Sequence, residues 1–390
     1  MTKPCASTVY DVQGSSTVAI SDRARQLQQE GINVVNLGGG DPDFDTPQHI
    51  QNAAITAMQK GFTHYVNSKG TPEMRKAVAE KYRREADLTY NPNSDIIVTA
   101  SGKVALYIAL SALIDTGDEI MIFEPAWVSY RPIIQLLHGV PVAVSLQAAN
   151  DFLVTEEIIE KSITPKTKAI LINSPNNPTG RVFSTAELNC IARVAEKYDL
   201  WLITDDIYEK IIYDGRTNKT IASLPRMQER TIVVNGMSKA YAMTGWRLGY
   251  LVGPTGIVEQ ILKLQQHFVT CAASFSQVGG TAALEGGYEC VNKMVAEYDK
   301  RRCLITKALN AIPGVHCPLP EGAFYLFPRV DYKGMNSVEL AKYLLDEAYV
   351  AVTPGSAFGT AGEGCIRLTY ATSLTNLQEA VKRIEKALRR

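Results

Sequence analysis

A lysine that follows a predicted buried strand is the most informative residue of the chain. Lys239 comes directly after Ser238, and Arg247 follows eight residues later, while the run 231–234 before them is largely apolar. A primary amine can form an imine with an aldehyde, and hydroxyl and guanidinium groups can bind a phosphate. The run therefore suits an aldehyde cofactor that carries a phosphate. Taken alone, a lysine near a loop is more often an exposed charge.

A second candidate for binding a phosphate lies earlier in the chain. Ser101, Gly102 and Lys103 stand where a predicted strand turns into a predicted helix. A small turn of this kind exposes backbone N–H groups, and the N-terminus of a helix attracts an anion. Taken alone, this short run is better explained as a turn without a ligand.

Two further polar segments follow predicted strands. Residues 173–180 read Asn-Ser-Pro-Asn-Asn-Pro-Thr-Gly, a rigid loop that can hold an amide ready for a ring oxygen. Asp205 ends the apolar run 200–204, and a buried carboxylate is costly unless it meets a cation such as a protonated pyridine nitrogen. Tyr208 can reach the same ring. For Asp206, capping of a following helix is an alternative.

An arginine stands within a predicted strand near the C-terminus. Arg367 interrupts the apolar segment 365–370, where its charge is costly unless it binds an anion. The guanidinium fork matches a carboxylate in bidentate fashion. An arginine on an edge strand that faces water is the alternative.

The elements that must position these residues alternate along the chain. We predict strands at 95–99, 119–123, 168–173, 200–204 and 231–234, with helices between them at 103–114 and after 184. Ser184 and Glu187 form a capping box that opens the second helix. Apolar runs without alternation are typical of a parallel sheet buried on both faces, so a doubly wound α/β architecture follows.

The last hundred residues predict a different, smaller α+β unit. Helical patterns at 291–309 and 337–345 surround short strand-like segments at 323–327, 350–353 and 365–370. We expect one long helix from about residue 256 onward to link the two parts.

Composition narrows the classes of protein. Among 390 residues, 40 basic side chains balance 40 acidic ones, which gives no indication of a nucleic acid or an anionic membrane as partner. Seven scattered cysteines without a C-x-x-C pair argue against a disulfide framework and a zinc site, and we predict no metal. No apolar run has the length of a membrane span, and residues 1–20 lack the blocks of a signal peptide. We therefore expect a cytoplasmic protein.

The motifs, in this order, resemble the class I and II aminotransferases of pyridoxal-phosphate fold type I. The resemblance runs from about Thr17 to the C-terminus. It implies an α/β fold in which a mostly parallel sheet is sandwiched by helices, with a large domain at 48–290 and a small α+β domain from 1–47 and 291–390. It also implies the cofactor pyridoxal 5'-phosphate (PLP), ping-pong amino transfer between an amino acid and a 2-keto acid, and a homodimer.

The resemblance assigns a role to each motif. Lys239 would hold PLP and carry the substrate's α-proton, Asp205 would pair with the ring nitrogen, and Trp127 would stack on the ring. Asn177 and Tyr208 would bind the phenolic oxygen. Arg367 would bind the substrate α-carboxylate, with help from the region of Gly40 and Asn177. The other cofactor-binding residues would be Ser101, Gly102, Lys103, Ser238 and Arg247, with Tyr65 reaching the phosphate from the second subunit.

Substrate choice depends on two positions. Thr17 and Lys103 resemble the bacterial aspartate aminotransferase subgroup, in which such residues bind the distal carboxylate. A lysine in the first turn opposes the helix dipole, so a nearby anion explains Lys103 better than solvation alone. Members that act on prephenate carry a basic residue four positions before the threonine. Gln13 stands there in this chain, which argues against prephenate as substrate.

Other functions remain open on these residues. The same motifs occur in relatives that accept aromatic, alanine or basic amino acids. A PLP β-lyase would use the same Lys239 and Asp205, although Lys103 and Thr17 favour an acidic substrate. A PLP-binding regulator fused to a DNA-binding domain would need a basic helix-turn-helix before the fold. Here the fold starts within the first forty residues, and no basic patch is present.

Overall fold

The structure is a computed structural model that describes residues 6–389 except Asp11, Gln13 and Ser15, so the argument about Gln13 concerns a residue outside the described part. The helices of the described residues are α1 (Ser7–Tyr10), α2 (Ser16–Gln29), α3 (Gln48–Gln59), α4 (Pro72–Ala86), α5 (Gly102–Ser111), α6 (Tyr130–Leu136), α7 (Glu156–Glu160), α8 (Thr185–Lys197), α9 (Thr255–Phe268), α10 (Ser274–Glu285), α11 (Glu289–Asn310), α12 (Ser337–Ala348) and α13 (Leu374–Leu388).

The strands of the same part of the chain are mostly short outside the central sheet. They are β1 (Val35–Asn36), β2 (Ile96–Thr99), β3 (Glu119–Glu124), β4 (Val140–Ser145), β5 (Thr167–Asn173), β6 (Trp201–Asp205), β7 (Thr231–Gly236), β8 (Gly249–Val252), β9 (Val315–His316), β10 (Tyr325–Leu326), β11 (Arg329–Val330), β12 (Val350–Ala351), β13 (Thr353–Pro354) and β14 (Ile366–Thr369).

A seven-stranded sheet lies at the centre, in the order β2-β8-β7-β6-β5-β3-β4. Strands β4, β3, β5, β6 and β7 pair in parallel, whereas β8 runs antiparallel to both β7 and β2. Strand β7 is buried along its whole length, as expected where helices cover both faces of a sheet. The predicted α/β fold with a mostly parallel sheet is confirmed. The antiparallel β8 was not among the predicted strands.

The carboxyl ends of the parallel strands bring distant polar residues to one edge of the sheet. Strand β5 ends at Asn173 and β6 ends at Asp205, and the two residues are paired in register. Such an edge is where open α/β sheets bind ligands. A glycine in β8 helps to build it: a Cβ atom at Gly249 would lie 2.3 Å from the backbone nitrogen of Gly102. The missing side chain therefore lets β8 pass close to the start of α5.

Small sheets join the two ends of the chain. Strand β1 pairs in parallel with β12, and β14 lies between β10 and β13 in an antiparallel sheet. The strand predicted at 350–353 is divided, because β12 pairs with β1 whereas β13 pairs with β14. The pairing of β1 with β12 supports the domain division at 48–290 against 1–47 and 291–390, which we retain as a proposal.

The helix predicted from about residue 256 begins there as α9 but is shorter than expected, because it ends at Phe268. Helices α10 and α11 follow it, with breaks at Thr270 and Gly287. Both residues have a positive φ, 70° and 75°, a left-handed conformation that ends a helix. Within the described part of the chain, no helix combines the length and the apolar character needed to cross a membrane.

The predicted capping box at the start of α8 is confirmed. The Ser184 side chain accepts a hydrogen bond from the backbone N–H of Glu187, whose own carboxylate accepts one from the Ser184 N–H. The apolar face of the helix is buried at Leu188, Ile191, Val194 and Ala195. The helix therefore packs on the sheet in the register that the periodicity indicates.

Candidate active site

A cavity of about 450 Å³ lies at the carboxyl edge of the sheet and reaches the small sheets. Its size suits a small-molecule site. Most of the predicted site residues line it: Gly40, Ser101, Gly102, Lys103, Trp127, Asn177, Asp205, Tyr208, Ser238, Lys239, Arg247 and Arg367. The fold therefore brings together residues that are spread over more than three hundred positions of the sequence.

Lys239 points its amine into this cavity. The Nζ atom donates a hydrogen bond to the carbonyl oxygen of Gly40, at 2.5 Å. Burial lowers the pKa of this amine to about 8, and the positive charges of Arg367 and Arg247 act in the same direction. A larger share of the amine is thus uncharged near neutral pH than for an exposed lysine. An uncharged amine is the form that attacks a carbonyl carbon.

Asp205 presents a buried carboxylate to the same space. Its Oδ2 accepts a hydrogen bond from the Tyr130 hydroxyl at 2.7 Å, and its Oδ1 accepts a longer one from the Ile207 N–H at 3.4 Å. Burial raises the pKa of this carboxyl to about 6, while the Tyr130 and Ile207 hydrogen bonds and the charge of Lys239 oppose the rise. A cation placed beside Asp205 would complete its ionisation.

The neighbouring Asp206 has another environment. It accepts a hydrogen bond from the Thr204 hydroxyl at 2.5 Å and does not line the cavity. The alternative in which Asp206 caps a helix is wrong, because residues 207–210 form turns. The two adjacent carboxylates therefore differ in what they can reach.

One asparagine ties two parts of the site together. The Asn173 side chain accepts a hydrogen bond from the Asn177 N–H at 2.9 Å and donates one to the Asp205 carbonyl oxygen at 2.8 Å. The Asn177 side-chain oxygen accepts from Arg367 Nη1 at 3.0 Å. An amide has one acceptor oxygen and one NH₂ group, so the NH₂ of Asn177 remains to donate.

Arg367 is buried in the middle of its sheet. It is 2% exposed, and its strand β14 lies between two neighbours, so the edge-strand alternative is wrong. The Nη2 atom donates to the Gly38 carbonyl oxygen at 2.6 Å, but the Nε atom has no partner among the described residues. A buried cation with an unpaired N–H group is suited to bind a carboxylate.

An anion-binding corner forms at the start of α5. Ser101 caps this helix by accepting from the Val104 N–H at 3.2 Å, and its φ of 135° is a conformation that only strained non-glycine residues adopt. Ser238 is buried, and Arg247 donates to the Thr244 carbonyl oxygen at 2.8 Å. The helix N-terminus, two hydroxyls and a guanidinium group together suit a phosphate.

Lys103 lies beside the ring of Trp127. Its Nζ atom is 4.7 Å from the ring centre, a cation–π contact. Burial and the charge of Arg247 lower the pKa of Lys103, and no carboxylate of the described residues opposes this effect. The lysine is therefore an exposed cation of the cavity wall, with no carboxylate partner among the described residues.

The two other predicted residues differ in what the structure describes of them. Thr17 belongs to α2, but its side chain lies outside the described part of the structure, while Val18 and Ser21 of the same helix line the cavity. Tyr65 is 86% exposed and borders a separate surface depression with Cys271 and Phe275.

Several polar residues of the cavity wall are not predicted as site residues from the sequence. Among them, Asn173, Tyr130 and Tyr325 contact predicted site residues. Tyr130 follows Trp127 by three positions, which places both residues on one side of a turn. This spacing indicates from the sequence that Tyr130 can lie beside Trp127 in the site. Tyr325 reads as an ordinary aromatic core residue of a short strand.

Comparison with known proteins shows which family this chain matches. Residues 32–384 match the model of the family described as "Aminotransferase class I and II". The chain belongs to that family. It is a PLP-dependent aminotransferase, an enzyme whose substrates are amino acids and 2-keto acids.

Proteins similar to this chain are named for different substrates. The aminotransferase is 46% identical to the aspartate aminotransferase of Pyrococcus abyssi, with 92% of each chain covered. It is 41% identical to aromatic-amino-acid aminotransferase 2 of Thermococcus litoralis, over 95% of this chain and 99% of the other. The solved Thermus thermophilus aspartate aminotransferase with maleate superposes with a TM-score of 0.95, at 37% identity over 99% and 100% of the two chains.

The residues of the aminotransferase fit PLP. The buried Asp205 carboxylate has one well-made hydrogen bond and can pair with a ring nitrogen. The free NH₂ of Asn177, the partly desolvated Lys239 amine and the capped start of α5 supply complementary groups for an oxygen, an aldehyde and a phosphate. The donor set therefore matches the chemical groups that PLP carries.

Proposed function

We propose that this aminotransferase moves an amino group from aspartate or glutamate to 2-oxoglutarate or a similar 2-keto acid, by a ping-pong route. One observation carries the choice: besides the buried Arg367, the cavity wall holds Lys103, a cation that has no carboxylate partner among the described residues. A dicarboxylic substrate needs two cationic partners, one for each carboxylate. The name of the Pyrococcus abyssi relative agrees with this choice, and so does the dicarboxylate maleate with which the Thermus thermophilus aspartate aminotransferase was solved.

We propose that Lys239 is the base of the reaction. Its Nζ atom would hold PLP in the resting enzyme and would be freed when a substrate amine binds. The freed amine, with its pKa lowered by burial, would remove the substrate α-proton and carry it. When bound, PLP supplies the electron-withdrawing ring that makes this proton acidic.

We propose that the remaining wall residues hold the ring and the substrate. Asp205 keeps the ring nitrogen protonated, and Trp127 stacks on the ring. Asn177 and Tyr208 donate to the phenolic oxygen. Arg367 binds the α-carboxylate beside the Gly40 region, and Lys103 with Thr17 binds the distal carboxylate. The phosphate lies in the anion-binding corner of Ser101, Gly102, Ser238 and Arg247, with the first-turn Lys103 near it.

We propose a homodimer in which the partner subunit's Tyr65 reaches the phosphate. In support, Tyr65 is exposed, and so are the large apolar side chains of Ile55, Met58, Phe62 and Phe268, which are 43%, 42%, 39% and 59% exposed. Exposed apolar groups of this kind are typical of interfaces. Light scattering of the purified protein tests the dimer, and a monomer with full activity would contradict it. The cytoplasmic location also stays a proposal, supported by the composition.

Aromatic amino acids are the second candidate substrates. The Thermococcus litoralis relative is named for them, and the cavity wall of this chain contains Trp127, Tyr130 and Tyr325. A β-lyase would share Lys239 and Asp205, but it has no use for a second carboxylate-binding cation.

A steady-state panel tests these alternatives. The donors are aspartate, glutamate, tyrosine, alanine and arginine, each with 2-oxoglutarate, and both the keto acid and ammonia are measured. We expect the highest kcat/KM for aspartate or glutamate, with one keto acid formed for each amino group transferred. A preference for tyrosine would replace the dicarboxylate proposal, and ammonia release without amino transfer would point to a lyase.

A further inference from the structure

We propose that Tyr325 is a positioning residue that donates its hydroxyl hydrogen to Tyr208 and so turns the Tyr208 hydrogen toward the cofactor. The inference rests on the proposed function, in which Tyr208 donates to the phenolic oxygen of PLP. The two hydroxyl oxygens are 2.8 Å apart, and the residues are 1% and 4% exposed. Water therefore has little access to either hydroxyl group.

A hydrogen count gives the direction of this bond. Each phenol carries one hydrogen and can also accept a hydrogen bond. A single hydrogen lies between the two oxygens. If Tyr208 supplied it, Tyr208 would have none left for the cofactor. When Tyr325 supplies it, the hydrogen of Tyr208 is free to point at the phenolic oxygen.

The charge of Arg367 favours the same direction. Its guanidinium carbon lies 4.5 Å from the centre of the Tyr325 ring. Burial raises the pKa of Tyr325, and this charge opposes the rise. Burial and the neighbouring Tyr325 both raise the pKa of Tyr208 well above its ordinary value, and Arg367, which opposes this rise as well, is a smaller influence there than at Tyr325. The more acidic hydroxyl is the better donor, and Tyr325 is that group.

The backbone and a glycine hold Tyr325 in place. It pairs in register with Thr369 of β14, and its ring meets that of Tyr208 edge-on, with centres 5.7 Å apart. A Cβ atom at Gly40 would lie 2.5 Å from the Tyr325 hydroxyl oxygen, so the missing side chain makes room for this hydroxyl. Gly40 thus serves the site through Tyr325 as well as through its carbonyl oxygen.

The test titrates the visible absorption of the PLP-loaded enzyme, which reports the proton held at the Lys239 nitrogen. A donor to the phenolic oxygen stabilises its negative charge and lowers the pH at which this proton is lost. We expect Tyr208→Phe to raise the apparent pKa by roughly 1 to 2 units, and Tyr325→Phe by roughly 0.5 to 1 unit. The double variant is expected to match Tyr208→Phe alone, because Tyr325 acts through Tyr208.

A second tyrosine pair supplies the matched control. The Tyr370 hydroxyl donates to the Tyr213 hydroxyl at 3.1 Å, and neither residue lines the cavity. Tyr370→Phe should leave the apparent pKa unchanged. No shift in Tyr325→Phe, or an equal shift in the Tyr208→Phe background, would overturn the inference. Failure of the unaltered chain to load PLP or transfer amino groups would instead contradict the proposed function. Thermal unfolding of each variant checks that the fold is kept.

Discussion

Arg367 and Lys103, the two cations proposed to bind the substrate carboxylates, are held in different ways. Arg367 is fixed by the Asn177 side chain and the Gly38 carbonyl oxygen and is almost completely buried. Lys103 is exposed and contacts the Trp127 ring, and no carboxylate among the described residues pairs with it. One cation is therefore rigid before substrate arrives, whereas the other keeps freedom to adjust.

This difference fits the chemistry of amino acid substrates. The α-carboxylate is common to all of them, so its partner can be fixed by the fold. The side chain of the substrate varies from one amino acid to another. Its proposed partner, Lys103, lies on the first turn of a helix, where one substitution changes the contact without disturbing the core. A fixed partner for the α-carboxylate and a variable partner for the side chain allow related enzymes to differ in substrate. Two relatives with comparable identity to this chain are indeed named for different substrates.

The largest expected effect comes from the rigid cation. Arg367→Gln removes a buried charge that every substrate needs, and we expect kcat/KM to fall roughly 10²- to 10³-fold for aspartate and alanine alike. Steady-state kinetics with both substrates measure it. Arg329→Gln changes an exposed arginine of β11 and is the matched control. A loss of kcat/KM confined to aspartate would contradict the assignment of Arg367 to the carboxylate that all substrates share.

The two cations, Arg367 and Lys103, have different effects on the pKa of the Lys239 amine. With a pKa of about 8, its uncharged fraction and the rate of PLP attachment to the apoenzyme should rise roughly 100-fold from pH 6 to pH 9. Arg367 lowers this pKa, whereas Lys103 is not among the groups that shift it. The midpoint should therefore move upward in Arg367→Gln and stay in place in Lys103→Ala. Stopped-flow absorbance across this pH range measures the rate, and a midpoint near 10 in the unaltered chain would refute the effect of burial.

The adjustable cation should matter for some substrates only. We expect Lys103→Ala to lower kcat/KM roughly 10- to 100-fold for aspartate and glutamate, and to leave alanine nearly unchanged, because alanine has no distal carboxylate. Lys103→Arg keeps the charge and should recover part of the loss. Equal losses for aspartate and alanine would show that Lys103 acts on the cofactor instead.

The smallest effect tests what holds Lys103. Trp127→Phe keeps an aromatic ring but weakens the cation–π contact, so the ratio of aspartate to alanine kcat/KM should fall roughly 2- to 5-fold. A ratio that stays constant while both values fall would assign Trp127 to ring stacking alone.

The sequence predicts the parts of the site that carry a local anomaly. Lys239, Asp205 and Arg367 are charged residues in or after apolar runs, and burial without a partner would be costly for each. Tyr325 and Asn173 carry no such signal, since a tyrosine in a strand and an asparagine in a loop are ordinary. Their roles arise from contacts with residues distant in sequence, such as the 117 positions between Tyr208 and Tyr325.

Errors in the predicted elements have the same origin. Residues 269–273 contain neither glycine nor proline, yet the chain turns there, and the Thr270 N–H bonds back to the Gln265 carbonyl oxygen at 2.9 Å. The segment 350–353 divides because its halves meet different neighbouring strands. In both cases tertiary contacts override local preference.

The hydrogen bond from Arg367 to the Gly38 carbonyl oxygen has a consequence for how the enzyme comes into being. It joins residues 329 positions apart, so the two groups can meet only after residue 367 has left the ribosome. A nascent chain shorter than this already contains Lys239 and Asp205, yet it lacks the arginine proposed to bind the substrate α-carboxylate. The capacity to recognise substrate is therefore acquired later in synthesis than the residues proposed to hold the cofactor.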